Sequence, residues 1–99
     1  MNIKFFGHIY NFFTIISIKE NIDIIHRGKH DPIYKNDYVA EYYVRFLGND
    51  FYTREYYSFS ASNEVELEEK KHKITNDYEI FKSEFLKFNP SIININNKT

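Results

Sequence analysis

Histidine and carboxylate side chains are where chemistry is sought first, because they ligate metals and carry protons near neutral pH. His26 and His30 stand four apart, with Asp31 adjacent. On a helix that spacing would place both imidazoles on one face, but Gly28 and Pro32 interrupt the stretch. A zinc centre also needs three or four ligands at defined spacing. His8 and His72 join them only if the fold brings them there. The expectation is a polar surface loop over 27–36, with no metal and no other cofactor. Fourteen acidic residues guarantee chance carboxylate pairs, so their presence selects no general acid or base. Glycine-rich phosphate loops, Gly-x-Ser-x-Gly elbows and His-Glu-x-x-His are missing, and three glycines in all argue against a phosphate cradle. Cysteine is absent, which excludes disulfides and thiol chemistry and suits a reducing cytoplasm. The expectation is a chain that is not an enzyme.

Arginine and tyrosine form the more informative set. The runs Tyr38–Leu47 and Phe51–Ser60 flank Gly48-Asn49-Asp50, and Gly-Asn suits a two-residue hairpin loop because glycine accepts positive φ. With that loop, Leu47 faces Asp50, Phe46 faces Phe51, Val44 faces Thr53, Ala40 faces Tyr57 and Tyr38 faces Phe59. This mostly apolar face should meet the core. The other face displays Tyr43, Arg45, Tyr52, Arg54 and Tyr56, with Glu41 beside Tyr56. Tyrosine and arginine dominate interface energetics because they bury much area and keep a polar tip. The face is therefore the expected contact surface for a partner protein. Single-stranded nucleic acid is the alternative partner, since rings on an open sheet stack bases while arginines meet phosphates. Arg27, Lys29, His30 and Lys35 would add a basic loop to that surface. A homodimer through this face or an edge strand is a third reading. The acidic run Glu64, Glu66, Glu68 and Glu69 is a further candidate contact, able to imitate phosphates in a basic cleft, although a solvated charge run is the commoner meaning.

The elements that must position these groups follow from periodicity. Residues 4–14 fit either a helix, with Phe5, Phe6, Ile9, Phe12 and Phe13 on one side, or part of a strand. Alternation in 12–18 and again in 22–26 predicts a hairpin turning at Lys19-Glu20-Asn21. Residues 62–73 read as a solvated connector with helix-favouring Glu-to-Lys spacings. Ile74, Tyr78, Phe81, Phe85 and Phe88 recur at four and three, predicting an amphipathic helix over 76–88 that is stopped by Asn89-Pro90. The expected fold is α+β: a small antiparallel sheet of two hairpins packed by a C-terminal amphipathic helix. It should form one domain over 1–90, with a flexible tail over 91–99.

Composition agrees with a sheet-rich domain. The 99 residues include 10 Phe and 9 Tyr, both strand-favouring types. The apolar stretch 5–18 is interrupted and shorter than a spanning helix needs, about 20 residues, so it reads as core and no membrane partner is expected. A net charge of −1 supplies no global attraction to nucleic acid or anionic lipid. Ile, Asn, Lys, Phe and Tyr, whose codons are AT-rich, fill over half the chain. At the level of class, small size, this usage and the lack of catalytic signals are similar to those of small phage proteins that inhibit host defence nucleases, anti-CRISPR proteins among them. That likeness implies a cytoplasmic inhibitor acting by protein–protein contact, and it implies no particular site residues.

Overall fold

The chain reverses within its first ten residues. In the computed structural model, which describes residues 2–88 and the short stretch 95–96, strand β1 (Asn2–Phe5) pairs antiparallel with β2 (His8–Asn11). Phe5 stands opposite His8, so Phe6 and Gly7 form the whole loop. Both have positive φ, +51° and +81°, the pattern of a type I′ turn. Gly7 adopts this freely, whereas a phenylalanine there is strained. The helix reading of 4–14 is therefore overturned. A 3₁₀ turn over Phe12–Thr14 follows, its first donor capped by the Asn11 side chain, which accepts from the Phe13 N–H at 3.0 Å.

Strands β3 (Ile15–Lys19) and β4 (Asp23–His26) lie where alternation placed them, yet they do not form a hairpin with each other. Both pair antiparallel with β5 (Asp37–Phe46), Ile18 opposite Val44 and Asp23 opposite Glu41. They are successive pieces along one edge of β5. Five chain steps on their side match three on β5, so two residues bulge out between them. Alternation identifies a strand but not its partner, which is why the expected hairpin over 12–26 fails. The bulge frees carbonyls that must find donors. Tyr78 donates its hydroxyl to the Lys19 carbonyl, and the Lys82 ammonium donates to the Glu20 carbonyl at 2.6 Å. Lys82 is buried, and Glu79 at 2.6 Å and Glu20 at 3.5 Å balance its charge.

On the opposite edge of β5 lies β6 (Thr53–Ser60). The register is the expected one, with Val44 opposite Thr53, Ala40 opposite Tyr57 and Tyr38 opposite Phe59. The loop is longer than two residues. Strand pairing stops at Val44 and Thr53, Phe46 pairs with Ile15 instead, and Leu47 donates its N–H to Thr14. Leu47 does not face Asp50 in the ladder, and Phe51 is 81% exposed instead of joining the core. A two-residue strand, β7 (Ile95–Asn96), runs parallel to β3. The flexible tail expected over 91–99 otherwise falls outside the described residues.

Helix α1 runs from Glu64 to Phe88, starting twelve residues earlier than the apolar stripe predicted. Asn63 caps it: its side chain accepts from the Glu66 N–H at 2.9 Å, and the Glu66 carboxylate accepts from Ser62 N–H at 2.7 Å. This is a variant of the capping box. Leu67, Ile74, Tyr78, Phe81 and Phe85 are buried along one side. Tyr78, Phe81 and Phe85 pack on the inner face of the sheet, against Ile18, Tyr42 and Val44, with the β1–β2 hairpin closing the same side. Phe5 stacks on Phe81 at 4.4 Å between near-parallel rings and meets Tyr42 edge-on. The fold is thus α+β, with one helix on a small antiparallel sheet system. Phe5, Tyr10, Phe12, Ile15 and Ile18 are core, as expected within 5–18, whereas Ile9 and Phe13 of the same stretch are exposed, and no helix among the described residues is long and apolar enough to cross a membrane.

Candidate functional site

Because the helix covers one face of the sheet, the alternate side chains of β3, β5 and β6 stand on the other. Cross-strand pairs place Tyr43 beside Arg54, Glu41 beside Tyr56 and Arg45 beside Ser17. Tyr52, just before β6, reaches the same side, its hydroxyl 2.8 Å from that of Ser17. The five contact residues expected from alternation therefore share one surface. The structure adds Lys19 from β3 to this surface and holds Tyr52 on Ser17, which is itself buried; sequence reasoning missed both by pairing that strand elsewhere. Their signal was present in the polar alternation of 17 and 19 against Ile18.

The groups on this face hold each other. Arg54 Nε donates to Glu41 Oε2, Tyr43 donates to the other carboxylate oxygen at 2.9 Å, and the Arg54 guanidinium lies 5.4 Å from the Tyr56 ring centroid. Lys19 Nζ sits 4.9 Å from the Tyr52 ring and 5.5 Å from that of Tyr43. Each such cation–π contact contributes about 0.5–1 kcal/mol where exposed. The hydrogen bond to the Glu41 carboxylate, helped by partial desolvation, raises the Tyr43 phenol above its ordinary range. Arg45 is turned to the hairpin loop, donating to the Asn49 carbonyl at 2.9 Å. Tyr56, 55% exposed, and Arg54 are the most accessible members. Past Glu41 the face ends in Ile25, Val39 and Ser58. The arrangement offers rings, donors and internally balanced charge to a surface laid against it.

The acidic run lies elsewhere. Glu64, Glu66, Glu68 and Glu69 occupy the first turns of α1, on the covered side of the sheet. Glu66 is spent on the cap and on Lys70 at 4.0 Å, and Glu68 pairs with Lys71 at 3.7 Å. Of the histidine loop, His26 stacks on Tyr38 at 4.6 Å and its Nε2 lies 2.7 Å from the Lys35 carbonyl. His30, Lys29 and Lys35 are exposed, and the Arg27 guanidinium lies 4.5 Å from the Tyr34 ring. Gly28 is required here, since a Cβ would strike the Tyr34 carbonyl and the Lys35 backbone. Among the described residues no group of three or more His, Asp or Glu is placed to hold a metal ion.

The core carries a polar chain. Tyr10 donates to Glu55 Oε1 at 2.8 Å, which leaves Tyr42 to donate to the Tyr10 oxygen, also at 2.8 Å. Burial raises the phenol of Tyr42 to about 12 and drives those of Tyr10 and Tyr78 upward as well. These groups are locked neutral and serve the packing. Comparison with family models, curated proteins and solved structures finds no match to this chain.

Proposed function

We propose that this chain is a non-catalytic binding protein that acts by occupancy, docking its uncovered sheet face on another protein. The observation that carries the reading is the gathering of Tyr43, Arg45, Tyr52, Arg54 and Tyr56 on the face opposite the helix. Such side chains supply most of the energy of protein interfaces. Protein is favoured over nucleic acid because the face carries few uncommitted cations. Arg54 is paired with Glu41, Arg45 bonds a loop carbonyl, and Asp23 stands opposite Glu41 on the same side. The most concrete form of the reading is a cytoplasmic inhibitor of a host defence nuclease, of the anti-CRISPR-like type. Small size and AT-rich residue usage support that form.

Arg54 and Tyr56 are the residues to test, because Arg45 also ties the hairpin loop to β5 and Tyr52 ties it to β3. The tagged chain is expressed in its native host, and any protein it captures is purified and titrated against wild type and the R54A/Y56A double variant. The expected loss is roughly 2–4 kcal/mol of affinity, about 30-fold or more, with thermal stability nearly unchanged. Equal affinity in the double variant refutes this contact surface. Tight binding to a single-stranded oligonucleotide that falls steeply with salt would replace it with the nucleic-acid reading.

A further inference from the structure

Strand β6 lies at the edge of the sheet, and among the described residues its one neighbouring strand is β5. The hydrogen-bonding phase of that pair shows which groups the edge leaves over. Ala61 donates its N–H to the Asn36 carbonyl, one step past the pairing of Asp37 with Ser60. In an antiparallel pair, residues that exchange bonds alternate with residues that turn the same groups away. Thr53, Glu55, Tyr57 and Phe59 therefore bond to β5, while Arg54, Tyr56, Ser58 and Ser60 aim N–H and C=O outward. Ser60 agrees with this phase, because its carbonyl accepts from the Lys70 ammonium at 2.6 Å. A row of such groups is a template for another strand. The devices that usually blunt an edge are missing: β6 holds no lysine and no proline, and it pairs over eight residues without a bulge.

The charges along the edge select the occupant and the register. We propose that β6 pairs antiparallel with β6 of a second copy, with Tyr56 on the two-fold axis, so that two sheets become one. Arg54, Tyr56 and Ser58 of each copy then exchange about six backbone hydrogen bonds. In this register Arg54 lies opposite Ser58 of the second copy. Glu55 lies opposite its Tyr57, a carboxylate facing a phenol donor. No like charges meet. A slide of two residues one way sets Glu55 against Glu55. The slide the other way sets Arg54 against Ser60, whose carbonyl already holds the Lys70 ammonium, so cation meets cation. Like charges directly opposite destabilise a ladder, and a slide of one residue moves every side chain to the wrong face. The edge is thus complementary to itself in one register. Pairing uses the backbone and leaves the uncovered sheet face displayed, so this inference does not depend on the partner reading.

The test is sedimentation velocity on the full chain at micromolar to millimolar concentration, where a dimer is expected. Ser58→Pro removes an outward N–H and leaves the bonds to β5, and proline is tolerated on edge strands. It is expected to weaken dimerisation by about tenfold or more, with the circular dichroism of the fold kept. The chain has no cysteine, so introduced thiols report the register. Tyr56→Cys is expected to form a disulfide with its own copy, since paired Cα atoms about 5.5 Å apart suit that bond. Arg54→Cys should link to Ser58→Cys and not to itself, its own copy lying about 13 Å along the strand. A strictly monomeric wild type overturns the proposal and leaves the edge to a partner's strand. A dimer that links through Arg54→Cys alone as fast as through Tyr56→Cys has another register and overturns it too. So does a dimer that survives Ser58→Pro while Tyr56→Cys fails to link, because its contact then lies on another surface.

Discussion

Raising the pH tests whether the core tyrosines are held as neutral donors. Tyr42 is fully buried and its phenol is pushed up to about 12, against an ordinary 10. A tenfold change in proton affinity corresponds to about 1.4 kcal/mol between protonation states. The native chain holds this proton more tightly than the unfolded chain. The stabilisation is therefore complete below pH 10 and is lost as pH rises from 10 to 12. Tyr42 alone accounts for about 3 kcal/mol of that loss, a large part of the stability of about 5–15 kcal/mol usual for a small domain. Tyr10 and Tyr78 are raised in the same direction and steepen the fall. The assay is denaturant unfolding at a series of pH values, read by helix circular dichroism, with tyrosinate absorbance recorded in parallel. The Y42F variant serves as reference, so that the part of the decline owed to Tyr42 is read by difference. It should cost about 1 kcal/mol near neutral pH, because the Tyr10 oxygen loses a donor, and should show a shallower alkaline decline. Tyrosinate absorbance reaching its full amplitude while the helix signal persists would refute the reasoning, as would equal slopes for wild type and Y42F.

Two further perturbations probe how the sheet is assembled. Lys82→Met leaves the Glu20 carbonyl without its charged donor and Glu79 without its partner. It should cost roughly 2–3 kcal/mol and lower the melting temperature by about 10–20 °C, and a melting temperature unchanged in a calorimetric scan would show that the bulge needs no clamp. Gly28→Ala forces a Cβ into the Tyr34 carbonyl and should cost roughly 1–3 kcal/mol. Faster amide exchange across residues 27–35 is the local readout, and unaltered exchange with unaltered stability would rule out the close approach.

What could be read from the chain divides by how local its cause is. The β5–β6 register was legible because its cause is local. Val44 and Thr53 lie nine positions apart around a glycine turn, and alternation assigns the inner side to Ala40, Tyr42 and Val44. The apolar stripe of the helix was legible for the same reason. Its first three turns were hidden by charge, although Asn63-x-x-Glu66 is a cap signal and Leu67 extends the stripe by one heptad from Ile74. The β1–β2 hairpin was obscured because a phenylalanine stands where a type I′ turn calls for asparagine or glycine.

The path of residues 15–26 had no local cause to read. A strand that passes a two-residue bulge and continues has the same alternation as one that turns back. The difference is made by Tyr78 and Lys82, about sixty residues downstream, whose hydroxyl and ammonium satisfy the carbonyls of Lys19 and Glu20. That clamp also bears on the candidate contact face. It fixes the bulge directly after Lys19, and Lys19 supplies the cation over the Tyr43 and Tyr52 rings. Helix side chains on one face of the sheet therefore set the position of a charge on the other. The β5–β6 part of the surface follows from pleat alternation alone, whereas its β3 part depends on the helix being docked. Loosening α1 with Lys82→Met should accordingly disturb the Lys19 end of the face and leave Arg54 and Tyr56 in register, because nothing in the β5–β6 pairing passes through the bulge.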